Sequence, residues 1–158
     1  MNTSDTARRL GVNAAFLKDI KDDNQHLKQL LDRIDPLIKH PTVACNHWSE
    51  IIALLDELRD QLAFHFSLEE AYGYFDSALD TDPLRSAEAE QLRAAHPKLF
   101  ARIRDLADRA GETAPDAETK VAAVVSDYKI FFRSFADHEE AELRLILSTL
   151  DDDIGVGD

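Results

Sequence analysis

Two polar pairs set on apolar stripes restrict this chain more than any other feature. In LAFHFSLEEAYGYFD, residues 62–76, His65 and Glu69 stand one helical turn apart on the stripe traced by Ile51, Leu55, Leu58 and Leu62. An amphipathic helix turns that stripe toward its core. A lone carboxylate there costs several kcal/mol unless it is paired or bound to a metal, so something elsewhere in the chain must meet it. FADHEEAELRLI, residues 135–146, supplies the counterpart: His138 and Glu142 repeat the spacing on a second apolar stripe.

The rest of the sequence favours helices. The chain has 158 residues, about one domain, and its 44% apolar and 31% charged content is that of a soluble globule with a real core. Only five Gly and five Pro interrupt long runs rich in Ala, Leu, Glu, Asp and Arg, which favours an all-α fold over a sheet. A net charge of −13 with no basic patch argues against nucleic acid and anionic membrane surfaces as partners. The start, MNTSDTARRLGVN, lacks the apolar core of a signal peptide, and no later stretch approaches the roughly 20 apolar residues that span a bilayer. A cytoplasmic location is expected. The single cysteine, Cys45, excludes an internal disulfide and any thiolate cluster.

Four helical patterns follow one another. Residues 1–12 are polar and are read as an N-terminal extension, with residues 13–150 forming the domain. Asn13 is the expected N-cap of a first long helix carrying Phe16, Ile20, Asp23, Leu27, Leu30, Leu31 and Ile34 in register, with His26 on the edge of the stripe. The run IDPLIKHP ends it. A second helix is expected from between Thr42 and Asn46 to about Ala78. Asp82 before Pro83 forms a cap and first-turn pair for a third, in which Leu92, His96, Leu99, Phe100, Ile103 and Leu106 share a face before Gly111 stops it. Thr113 to Asp116 resembles a capping box opening a fourth helix through Val121, Val124, Val125, Tyr128, Phe132, Phe135, His138, Glu142 and Ile146. Residues 151–158 read as an acidic, disordered tail. Short connections between four helices make an up-down-up-down antiparallel four-helix bundle the expected architecture.

The histidines then become informative. His40 and His47 fall in the first connection and are expected in solvent, whereas His26, His65, His96 and His138 fall one to a helix on inward or near-inward positions. Each helical hairpin contributes a His and then a His-x-x-x-Glu. The rise from Glu69 to the turn, and from Leu84 back to His96, is about 16 to 18 Å each way, which brings both groups to one level. A single inward His is more often a hydrogen-bonded core residue than a ligand. Four of them with two matched glutamates describe a metal site instead, since imidazole suits iron, copper, nickel and zinc, and a carboxylate can bridge two ions.

The ordered set His26, His65-x-x-x-Glu69, His96, His138-x-x-x-Glu142 resembles the hemerythrin-like HHE cation-binding family over about residues 14–150. The resemblance implies a hemerythrin-like bundle holding a non-haem di-iron centre, two iron ions bridged by two carboxylates and an oxo or hydroxo group. It implies that His26 and His65 hold one iron, His96 and His138 the other, and that Glu69 and Glu142 bridge them. Two departures stand out. Oxygen-carrying hemerythrins have a further His one turn after the third-helix ligand, where this chain has Phe100. They also tend to have Asp five residues after the last His, where it has Leu143, with Glu142 at four.

Several residues keep two readings. Pro97 either kinks the third helix and aims His96, or starts a new helix. Tyr72 and Gly73 lie on the ligand face and form a candidate small-ligand pocket with Phe100, or else pack against a bulky neighbour. Glu70, Glu139 and Glu140 are expected on a solvated face, Glu139 being the candidate extra ligand for the position Phe100 leaves. Phe66, Phe131, Phe132 and Phe135 are expected in the core. The functional expectation is binding or sensing of dioxygen, nitric oxide or redox state, more a binding protein than an enzyme. A peroxide- or oxygen-activating oxidase and an iron-handling protein are the alternatives, and a sensor would act through a protein partner.

Overall fold

Apolar residues recurring every three to four positions carry each helix into the core. The computed structural model describes residues 3–71 and 82–156, with side chains for residues 15, 18–71 and 82–148. Among them every regular element is helical: α1 (Thr3–Ile34), a 3-10 turn (Asp35–Leu37), α2 (Pro41–Asn46), α3 (Trp48–Ala71), α4 (Pro83–Gly111) and α5 (Glu118–Val156). The all-α bundle expected from the sequence is what forms. α1 packs on α3, α3 on α4 and α4 on α5, while the short α2 reaches across to α5. Their stripes meet in one core, with Leu30, Ile34, Leu55, Leu58, Leu62, Ile103, Val121 and Phe131 essentially inaccessible to solvent.

Cross-links fix the antiparallel order. Trp48 at the start of α3 donates its indole N–H to the Thr113 carbonyl just beyond α4, at 2.9 Å. Arg109, near the end of α4, donates to Asp127 early in α5 at 2.8 Å. Asp82 caps α4 as expected: its backbone is extended, its Oδ1 accepts from the Leu84 N–H at 2.9 Å, and Pro83 follows. α4 then runs through Pro97, whose side chain faces solvent, so no new helix starts there.

Four local expectations are corrected. α1 begins at Thr3, not at Asn13; nothing before Asn13 breaks a helix, and Gly11 costs only about 1 kcal/mol relative to Ala. α5 likewise continues through the acidic run to Val156, where a disordered tail was expected from residue 151. The segment after Gly111 does not cap α5. Thr113 Oγ1 donates back to the Arg109 carbonyl at 2.6 Å, so the segment closes α4, and α5 starts only at Glu118. On α5 Phe131 and Leu145 are buried while Phe132 is exposed, because the buried stripe passes through Val124, Tyr128, Phe131, Phe135, His138 and Glu142. The part of the second helix expected beyond Ala71 lies outside the described residues.

Candidate metal centre

On α1 the buried stripe runs Ile34, Leu30, Leu27 and then Asp23, only 3% exposed. An aspartate is thus carried inward at the level of the polar pairs on α3 and α5. His26 is left outside that stripe and is exposed, so the expectation that it joins the site is corrected. The remaining expected residues do meet. His65, Glu69, His96, His138 and Glu142 are all buried and come together in the bundle interior.

The donor atoms fall into two groups, each with its members within 4.8 Å of one another. One comprises His65, Glu69, Glu139 and Glu142; the other comprises His96, His138, Glu69 and Glu142. Glu69 and Glu142 belong to both. Glu69 Oε1 lies 2.7 Å from His65 Nε2, and Glu69 Oε2 lies 2.9 Å from His96 Nε2, so its two oxygens face the two groups separately. Glu142 Oε1 lies 2.5 Å from His138 Nε2 and 2.8 Å from His96 Nε2. Glu139 reaches His65 Nε2 at 2.8 Å. Expected on a solvated face, and as the candidate extra ligand beside His96 and His138, it has a side chain 31% exposed whose carboxylate reaches inward to His65 instead.

Some of the close pairs are hydrogen bonds, His65 Nε2 with Glu139 and His96 Nε2 with Glu142, both at 2.8 Å, but not all are. His138 Nε2 and Glu69 Oε2 are buried and make no hydrogen bond, although each has an oppositely disposed atom within 2.9 Å. Close approach with the wrong angles for a hydrogen bond is what lone pairs converging on a common point produce, and burying them otherwise is costly. The donor set fits a metal ion.

A supporting layer lies behind it. Asp23 Oδ2 accepts from His65 Nδ1 at 2.5 Å, and Gln61 donates to Asp23 Oδ1 at 2.7 Å. With its Nδ1 proton held there, His65 presents Nε2 to the site, the arrangement in which a carboxylate fixes the tautomer of a metal-binding imidazole. Phe66 stacks on His96, with centroids 4.4 Å apart and planes at 17°, and meets His138 edge-on at 6.4 Å. Those contacts hold both rings.

Without an ion the group is a dense set of charges. Burial works against a charged His65, but its hydrogen bonds to Asp23, Glu139 and Glu69 outweigh that and push its pKa up to about 12. His96 rises to about 9 in the same contest, burial opposing the charge and Glu142 and Glu69 favouring it. Burial would raise Glu69, but His65 and His96 bring it down to about 2. Glu139 moves up, since burial together with the nearby Glu142 and Glu69 charges exceeds the help from His65.

Of the candidate ligand-pocket residues, Tyr72 and Gly73 lie outside the described residues. Phe100 is half-buried against the core and lines a cleft between α3 and α4 with Phe66, His96 and Pro97. A second cleft, about 380 Å³, opens along the seam between α1 and α5 and reaches His65, Glu69, Glu139 and Glu142 between the apolar walls Ile20, Leu68 and Leu143. Among the described residues no helix is long and apolar enough to cross a membrane.

Residues 15–150 match the model of the hemerythrin HHE cation-binding domain. No curated protein and no solved structure matches the chain. The match covers most of the sequence, and the chain belongs to the hemerythrin HHE cation-binding family.

Proposed function

We propose that this hemerythrin-family chain is a non-haem di-iron protein that binds dioxygen or nitric oxide, or responds to redox state, at a pair of irons bridged by Glu69 and Glu142. The observation that carries the reading is the sharing of those two carboxylates between two donor groups, which is what a bridged pair of ions requires. His65 and Glu139 would complete one position, His96 and His138 the other. Bound iron would supply the redox chemistry and an open coordination position.

The chain's own residues account for the rest. Asp23 holds the His65 ring in one orientation, and Phe66 does the same for His96 and His138. The cleft along the α1–α5 seam gives a small ligand a path to the donors, between Ile20, Leu68 and Leu143 and past Glu139. One imidazole position implied by family resemblance is filled here by a carboxylate set, so the centre is richer in oxygen donors than the sequence pattern suggested. Such a centre favours the oxidised state and fits a sensor better than a reversible carrier.

Iron analysis of protein purified under air, with its near-ultraviolet and visible spectrum, tests the reading. Two irons per chain with the absorption of a bridged ferric pair, altered by nitric oxide after reduction, are expected. A chain that takes up no iron and melts identically with and without it would contradict the reading.

A further inference from the structure

The two donor groups are not alike, and the difference lies in the chemistry of their unshared members. One adds two imidazole nitrogens, from His96 and His138, to the shared carboxylates. The other adds a single imidazole, from His65, and a third carboxylate, from Glu139. The difference arises on α1, which brings Asp23 inward where a second imidazole would have had to stand. Asp23 bonds the far nitrogen of His65 and adds negative charge beside the group without joining it.

Their surroundings differ in the same sense. The His96 and His138 side chains are 2% and 6% exposed, and Phe66 stacks on one ring and abuts the other. Glu139, by contrast, stands at the mouth of the α1–α5 cleft, beside the exposed Glu140. An ion held by His65 and Glu139 can therefore be reached from solvent past carboxylates that attract cations, whereas the α3–α4 cleft reaches only His96 of the other pair, past the rings of Phe66 and Phe100.

Resting on the two-metal reading above, we propose that the positions load in order and can hold different metals. The His96/His138 position takes and retains an imidazole-preferring ion such as iron or zinc. The His65/Glu139 position exchanges its ion through the seam and accepts an oxygen-preferring divalent ion of the manganese class. Imidazole donors raise affinity most for iron, nickel, copper and zinc, while carboxylates suit manganese and magnesium, so each position selects by donor type when the stronger binder is limiting.

The test uses the full chain, stripped of metal and given one equivalent each of Zn²⁺ and Mn²⁺, followed by desalting, metal analysis and electron paramagnetic resonance of the manganese. One zinc and one manganese per chain are expected. Glu139→Gln, checked by circular dichroism for an intact bundle, is expected to lower manganese retention at least about tenfold and leave the zinc in place. Glu140→Gln, outside the donor groups, is expected to retain both ions. Zinc distributed equally over both positions in the wild-type chain, or manganese retention unchanged in Glu139→Gln, would overturn the proposal while leaving a two-metal centre intact. Retention of neither ion by the wild-type chain would overturn the two-metal reading and this proposal with it.

Discussion

Replacing Asp23 by Asn tests whether the first helix supports the site through a carboxylate and not through its histidine. Asp23 is buried, accepts from His65 Nδ1 at 2.5 Å and is held by Gln61 at 2.7 Å. Asn keeps the shape but loses the charge that fixes the His65 tautomer. Loss of such a supporting partner typically weakens metal binding about 10- to 100-fold, which is about 1.4 to 2.7 kcal/mol. His26 is exposed three residues away, and His26→Ala is expected to change stability by less than about 0.5 kcal/mol and metal retention not at all. Competition of the loaded proteins against a graded series of chelators reads both effects. If His26→Ala releases metal as readily as Asp23→Asn, the assignment of α1's contribution is wrong.

Glu69→Ala and Glu142→Ala are each expected to abolish retention of both ions, because each carboxylate belongs to both donor groups; loss of a single ion by metal analysis would contradict a bridging role. The pH dependence of the metal-free protein follows from the shifted imidazoles. The pKa of His96 is raised from 6.5 to about 9 in the fold, so its stabilisation is complete below pH 6.5 and is lost as pH rises through 9. That of His65 declines over the same window and onward toward pH 12, and that of Glu69, lowered from 4.5 to about 2, is lost only in acid as pH falls through 2. Urea denaturation of the metal-free protein is therefore expected to show a loss of several kcal/mol between pH 6.5 and 9, to which both imidazoles contribute. The loaded protein, whose imidazoles are neutral ligands, is expected to show none of it, and a metal-free protein flat over that window would count against the charge distribution described. Trp48→Ala, which empties a buried site and removes the tether to Thr113, is expected to cost about 3 to 5 kcal/mol in the same assay while leaving metal stoichiometry at two.

The helices were legible because long apolar stripes with few Gly and Pro leave little choice, and the donors on α3, α4 and α5 were legible because a polar residue on such a stripe must be met from another helix. The same criterion applied to α1 would have selected Asp23, which stands in register with Leu27, Leu30 and Ile34. Residue type and register point to different positions on α1, since imidazole is the commoner metal ligand but His26 lies on the stripe's edge. Glu139 was legible as a candidate extra ligand, but for the His96/His138 position, whereas it joins His65. Helical periodicity places it about 100° from His138, and only the open seam between α1 and α5 allows so long a side chain to turn back to His65. Helix limits failed where tertiary contacts decide them, as at Thr113, whose side chain and carbonyl are committed to Arg109 and Trp48.

Anomalous scattering at the iron edge from crystals of the iron-loaded protein addresses the bridged pair directly. Two peaks about 3.5 to 4 Å apart are expected. Glu69 and Glu142 are expected to lie between them, His65 and Glu139 beside one peak and His96 and His138 beside the other. A single peak, or a pair of peaks that Glu69 and Glu142 do not span, would contradict the account.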